Sequence, residues 1–231
     1  MPGPDGPSAR PSRTAVLAAA VPLLLFGLLT ALLARHGWGP TAAERSLHAW
    51  AVSHRPAAAV RAADLLTDLG AGAVPYLAAG LAGVLAVRHP LSPHRRAARL
   101  LGPIAVLALG QLLRHGLMQA FARPRPPAAD WVAASPSGYA YPSGHAFTAA
   151  VAAGLLGWAV TRSVRRRLAA PLLALLAATA MAIGLTRIYL GVHWPLDVLA
   201  GWLLAAGWLA LTLPVLTALQ PTDPAPPTRR T

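Results

Sequence analysis

The sequence predicts an all-α fold, a six-transmembrane-helix bundle, and three observations carry that prediction. Hydrophobic residues make up 55% of the 231 residues and charged residues only 12%, far more apolar than a soluble domain of this size requires. The apolar residues gather into runs long enough to cross a bilayer, at residues 14–34, 69–87, 100–113 and beyond, 145–160, 168–185 and 195–219. The third observation is where the charge lies. All 20 basic residues are Arg, and they collect at the ends of the runs: Arg10 and Arg13 before the first, Arg88, Arg95, Arg96 and Arg99 between the second and third, and Arg162, Arg165, Arg166 and Arg167 between the fourth and fifth. Positive charge stays on the cytoplasmic side. Both termini are therefore expected inside, and the first, third and fifth loops outside.

Taken in order, residues 1–13 are rich in Pro and polar residues and read as a disordered cytoplasmic tail. The first apolar run exceeds a signal-peptide core and is followed by Arg35-His36-Gly37-Trp38 rather than small residues, so it is expected to be retained. Between helices one and two, residues 42–68 mix Leu47, Trp50, Leu65 and Leu66 with Glu44, Arg45, His48 and Asp64 and are broken by Pro56. This is an amphipathic segment of one or two short helices on the outer interface, with Trp38 and Trp50 suited to the headgroup layer. The remaining runs complete one membrane domain over residues 14–219, and residues 220–231 form a second Pro-rich cytoplasmic tail.

Composition also excludes function classes. The net charge of +13 is spread over helix ends rather than one soluble face, which argues against a nucleic-acid partner. With no cysteine there is neither a disulfide framework nor thiolate chemistry. No internal repeat suggests a transporter.

Ionisable residues in a membrane protein are expensive and mark function; here they concentrate in the outer loops. The third loop carries Arg123-Pro124-Arg125-Pro126 and then Tyr141-Pro142-Ser143-Gly144-His145 at the mouth of helix four; the fifth runs from Arg187 through His193 to Asp197. Ser143 is placed to cap helix four, and Gly144 leaves room for an anion at the helix N-terminus, with His145 at the rim. His193 and Asp197 are four apart, so with Pro195 opening helix six the carboxylate can accept the Nδ1–H bond, leaving Nε2 unprotonated. Arg125 and Arg187 carry guanidinium forks that match a phosphoryl group. Taken singly, each feature is also met as an ordinary helix cap or headgroup anchor.

Together these residues resemble the type-2 phosphatidic acid phosphatase superfamily of lipid phosphatases, acid phosphatases and vanadium haloperoxidases. That family carries Lys, six residues, Arg-Pro; then Pro-Ser-Gly-His; then Ser-Arg, five residues, His, three residues, Asp. The second motif is intact as Pro142-Ser143-Gly144-His145, and the third reads Thr186-Arg187, His193, Asp197. The resemblance implies that His193 is a nucleophile forming a phosphohistidine, that Asp197 orients it and that His145 protonates the leaving oxygen. It further implies that Arg125, Arg187 and the Ser143-Gly144 turn hold the phosphoryl group, and that neither a metal nor another cofactor is needed.

The first motif departs from the pattern. Counting back from Arg125-Pro126, the Lys position holds Met118, and the chain has no Lys at all. Arg123 is the preferred stand-in; Arg114, one helical turn before Met118, is the other, disfavoured because helical side chains lean toward the N-terminus and here away from the site. The expectation is a metal-independent phosphatase in the plasma membrane, with an extracytoplasmic active site acting on a lipid phosphate or diphosphate. Its substrate would be a polyprenyl diphosphate, phosphatidic acid or phosphatidylglycerophosphate. The alternative is a catalytically weakened protein that binds a lipid phosphate, supported by Met118.

Overall fold

The computed structural model describes residues 13–87, 92–133 and 138–218. Arg10, Arg88 and, apart from Arg13, both expected tails lie outside the described residues. Among the described residues there are eight α-helices: α1 (Arg13–Arg35), α2 (Ala42–Ser53), α3 (Ala57–Asp68), α4 (Val74–Ala86), α5 (Pro93–Phe121), α6 (Gly144–Ser163), α7 (Arg166–Tyr189) and α8 (Pro195–Ala218). Among the described residues the one extended pairing is an isolated bridge between Pro124 and Tyr139. The fold is all-α.

Among the described residues five helices, α1 (from Val16), α5, α6, α7 and α8, are long and apolar enough to cross a membrane. Their outward faces show it: Leu24 and Leu28 of α1, Leu112 of α5 and Leu175 of α7 are exposed, so apolar side chains cover the outside of the bundle as well as its core. The sixth expected span, residues 69–87, is helical only over the 13 residues Val74–Ala86, about 20 Å against the roughly 30 Å of a hydrocarbon core. The cause is local. Gly70-Ala71-Gly72 forms a turn, with Gly72 at a φ of +60°, and the helix begins only after it. Even so, the turn and α4 together run alongside the whole of α6: a Cβ on Gly70 would lie 3.5 Å from the His145 carbonyl, and Ser163 Oγ donates to the Leu85 carbonyl at 2.8 Å.

The segment between the first two apolar runs folds as two short helices. Thr41 caps α2 through a reciprocal box: Glu44 N–H donates to Thr41 Oγ1 at 3.2 Å and Thr41 N–H to Glu44 Oε2 at 2.9 Å. Pro56, unable to continue α2, opens α3.

Helix α6 occupies the centre, against α4, α7 and α8. Its Phe147, Val151 and Leu155 are fully buried and pack on Ala79 and Ala82 of α4, Leu107 of α5 and Leu204 of α8. Small residues let helices approach. A Cβ on Gly201 would sit 2.8 Å from the Ser143 carbonyl, so glycine there allows the first turns of α8 and α6 to meet, and Ser143 N–H donates to the Asp197 carbonyl at 3.0 Å. Two chain segments far apart in sequence are thereby fixed side by side.

Candidate active site

Four segments converge where α6 and α8 begin. The short connection after α7 is held by its own backbone, with the N–H groups of Val192 and His193 both donating to the Arg187 carbonyl at 3.2 Å. Gly191 turns it with a φ of +80°, a conformation that favours glycine. This turn delivers His193, 3% exposed, above Asp197 in the first turn of α8.

The hydrogen bonds around His193 set its tautomer. Arg125 Nη1 lies 3.1 Å from Nε2, and a guanidinium can only donate. Nε2 is therefore the unprotonated nitrogen, and Nδ1 carries the proton toward Asp197 Oδ2, a long contact of 3.4 Å. Asp197 is held more tightly by others: Trp194 N–H donates to Oδ2 at 2.8 Å and Arg123 Nη1 to Oδ1 at 2.5 Å. Burial, reinforced by Arg125, Arg187 and Arg114, pushes the pKa of His193 well below its usual value. The ring is thus neutral, with its lone pair at Nε2.

Arg125 also donates to the Val192 carbonyl at 2.7 Å. Burial lowers its pKa to about 10, against the pull of nearby Asp197 and with a further push from Arg114. Arg187, in the last turn of α7 and 2% exposed, donates from Nη1 to Thr67 Oγ1 of α3 at 3.0 Å, while its buried Nε has no partner among the described residues. A cavity of about 330 Å³ is lined by His145, His193, Arg125, Arg187, Gly144 and Arg114, with Gly70 to Gly72 on its α4 side. That volume suits a small anionic headgroup. Among the described residues no three His, Asp or Glu side chains group as metal ligands would.

Two expected site residues sit elsewhere. Arg123 is fully buried and does not line the cavity. Its guanidinium bridges Asp197 and Glu44, with Nη2 donating to Glu44 Oε2 at 2.9 Å and Nε to the Trp38 carbonyl at 3.2 Å. Burial works to lower its pKa, but the two carboxylates outweigh it and hold the pKa raised. The expectation that Arg123 grips phosphate is corrected: two buried carboxylates already claim it. Ser143 stands at the N-cap of α6, yet its side chain makes no capping bond, and its buried Oγ has no partner among the described residues. Its contribution is through the backbone, to Asp197.

Arg114 does line the cavity. Its side chain turns back along α5 toward Met118, with Nη1 3.2 Å from Sδ, so the flexible stem reverses the lean of the Cα–Cβ bond. Glu44 and Thr67 also support the site, as partners of Arg123 and Arg187. The signal for Glu44 was the Thr41-x-x-Glu44 box; nothing in the sequence singled out Thr67.

The sequence model of the PAP2 superfamily matches residues 99–220, more than half of the chain. Over 77 residues the chain is 39% identical to an undecaprenyl-diphosphatase of Sulfolobus acidocaldarius, a match covering 32% of this chain and 32% of that relative. The chain therefore spans about a third of the length of that curated relative. The fold is similar to the crystal structure of a transmembrane PAP2 type phosphatidylglycerolphosphate phosphatase from Bacillus subtilis. The likeness has a TM-score of 0.73, covers 88% of this chain and 98% of that one, and comes at 21% identity.

Proposed function

The chain belongs to the PAP2 superfamily, and from that premise we propose that it hydrolyses a lipid-linked phosphate or diphosphate through a phosphohistidine intermediate. One observation carries the reading: His193, with its lone pair fixed at Nε2, faces the same cavity as His145, Arg125 and Arg187. Nε2 attacks phosphorus in line with the leaving oxygen while His145 donates a proton to that oxygen. The P–N bond forms as the P–O bond breaks. The imidazolium developing on His193 is stabilised by Asp197, and the guanidinium groups of Arg125 and Arg187 hold the equatorial oxygens, with the Gly144 turn at the positive end of α6. Water then attacks the phosphohistidine, His145 takes its proton, and inorganic phosphate leaves.

The names of the relatives support a polyprenyl diphosphate or phosphatidylglycerophosphate as substrate, with phosphatidic acid a further member of the class. Six spans, cytoplasmic termini and an extracytoplasmic site in the plasma membrane follow if the turn and α4 count as a crossing, which their run alongside all of α6 supports. Phosphate release from a panel of lipid phosphates and diphosphates in detergent tests the reading. Wild type should act on at least one of them, and His193→Ala should not; equal release by the variant would remove the assigned nucleophile. Met118 favours a second reading, a protein that grips a lipid phosphate with little turnover. Lipid binding without phosphate release from any member of the panel would select it.

A further inference from the structure

We propose that Arg114 is the third phosphate-binding cation of the site, reaching from one helical turn deeper to replace the charge lost at Met118. The proposal rests on the phosphatase reading and names a residue that the motif pattern does not include. Arg114 lines the cavity beside Arg125, Arg187, His145 and His193. Its guanidinium packs against Gly144 at the mouth of α6, where a Cβ would stand in van der Waals contact, 3.4 Å from Cζ. Its bonding is poorly satisfied. Nη1 points at the thioether of Met118 at 3.2 Å, a weak acceptor, and Nε is buried without a partner. Among the described residues no carboxylate pairs with it, whereas Arg123 bridges two. A half-buried cation facing a cavity without a counterion is costly, and an anion entering that cavity relieves the cost.

The four-residue offset explains why the charge survives the loss of the family lysine. Moving four residues down a helix keeps the same face and lowers the Cα by about 6 Å, a distance that the long Arg stem recovers. Met118 then serves as a prop, its side chain leaning back over the turn that Arg114 climbs.

The test measures inorganic orthophosphate affinity by calorimetry on the purified full chain in detergent, beside turnover of the best lipid substrate. Arg114→Met should weaken orthophosphate binding by roughly tenfold or more and lower kcat/KM by roughly ten- to a hundredfold. Arg114→Met combined with Met118→Lys should recover most of both losses. Orthophosphate affinity and kcat/KM within twofold of wild type in Arg114→Met, or a double variant no better than the single, would overturn the assignment. Should Arg114→Met fail to purify folded, Arg114→Lys decides: it keeps the charge but loses the fork, so orthophosphate must bind more weakly, and equal binding sinks the proposal. The His193→Ala control separates the two claims. If that variant is inactive while Arg114→Met is unimpaired, only the role of Arg114 falls; if His193→Ala retains full activity, the hydrolytic reading itself falls.

Discussion

Arg123 donates to the carboxylate of Asp197 at 2.5 Å, with neither side chain exposed to solvent. The same guanidinium holds Glu44 of α2 at 2.9 Å, and Glu44 Oε1 accepts the Leu196 N–H at 3.1 Å. A cation shared between two buried carboxylates thus ties a short helix outside the core to the carboxylate that faces His193 Nδ1.

That arrangement makes Arg123 a positioning residue. Arg123→Lys keeps the charge but lacks the planar fork that reaches both partners, so one carboxylate is left short of a buried bond, at a cost of about 1–3 kcal/mol. A loss of that size in a chain of this length should lower the thermal midpoint by several degrees. Because Arg123 acts through Asp197 and His193, kcat should fall by about tenfold with KM for the lipid unchanged. Thermal unfolding in detergent and steady-state kinetics check both halves. A raised KM at constant kcat would place Arg123 on the substrate instead.

His193 carries a consequence for pH. Burial, with Arg125, Arg187 and Arg114 around it, depresses its pKa well below the usual value. In the unfolded chain a His titrates near about 6.5, so between that value and the lower folded pKa the unfolded state binds more protons than the folded one. Its contribution to stability is therefore complete above about pH 6.5 and is lost as the pH falls toward the folded pKa. The thermal midpoint of wild type should drop between about pH 7.5 and about pH 5, and His193→Gln should drop less over the same interval. Parallel curves would mean that His193 takes up its proton as readily in the folded protein as in the unfolded chain.

Much of this architecture was legible in the sequence because its signals are local. Pro195 opens α8 and Gly144 opens α6 as expected, and the four-residue spacing of His193 and Asp197 did bring their side chains together. What escaped depended on direction and on distant partners. The apolar run over residues 69–87 hid the turn at Gly70 to Gly72 because alanine and glycine read as apolar wherever they fall. Arg123-Pro124-Arg125-Pro126 offered two similar cations, and only the positions of Glu44 and Asp197 decide which one turns inward. Arg114 was expected to lean away on helix geometry, yet its long, flexible stem carries the guanidinium back to Met118 and Gly144.

The six-span arrangement has a direct test, because the chain contains no cysteine and each introduced thiol is unique. Ser53, exposed at the end of α2, and Arg165, exposed between α6 and α7, stand at opposite ends of the bundle. Ser53 lies on the side of the cavity, since the neighbouring His54 carbonyl accepts the Tyr189 hydroxyl at 2.8 Å just before the His193 turn. Arg165 follows the end of α6, whose Ser163 meets the end of α4. In intact cells a membrane-impermeant maleimide should label Ser53→Cys and leave Arg165→Cys unmodified until the membrane is opened. The reverse pattern would turn the site toward the cytoplasm, and with it the leaflet from which the lipid phosphate is drawn. Labelling of both in intact cells would remove α4 or another helix from the set of crossings, since an even number of spans between these two positions returns the chain to the same side.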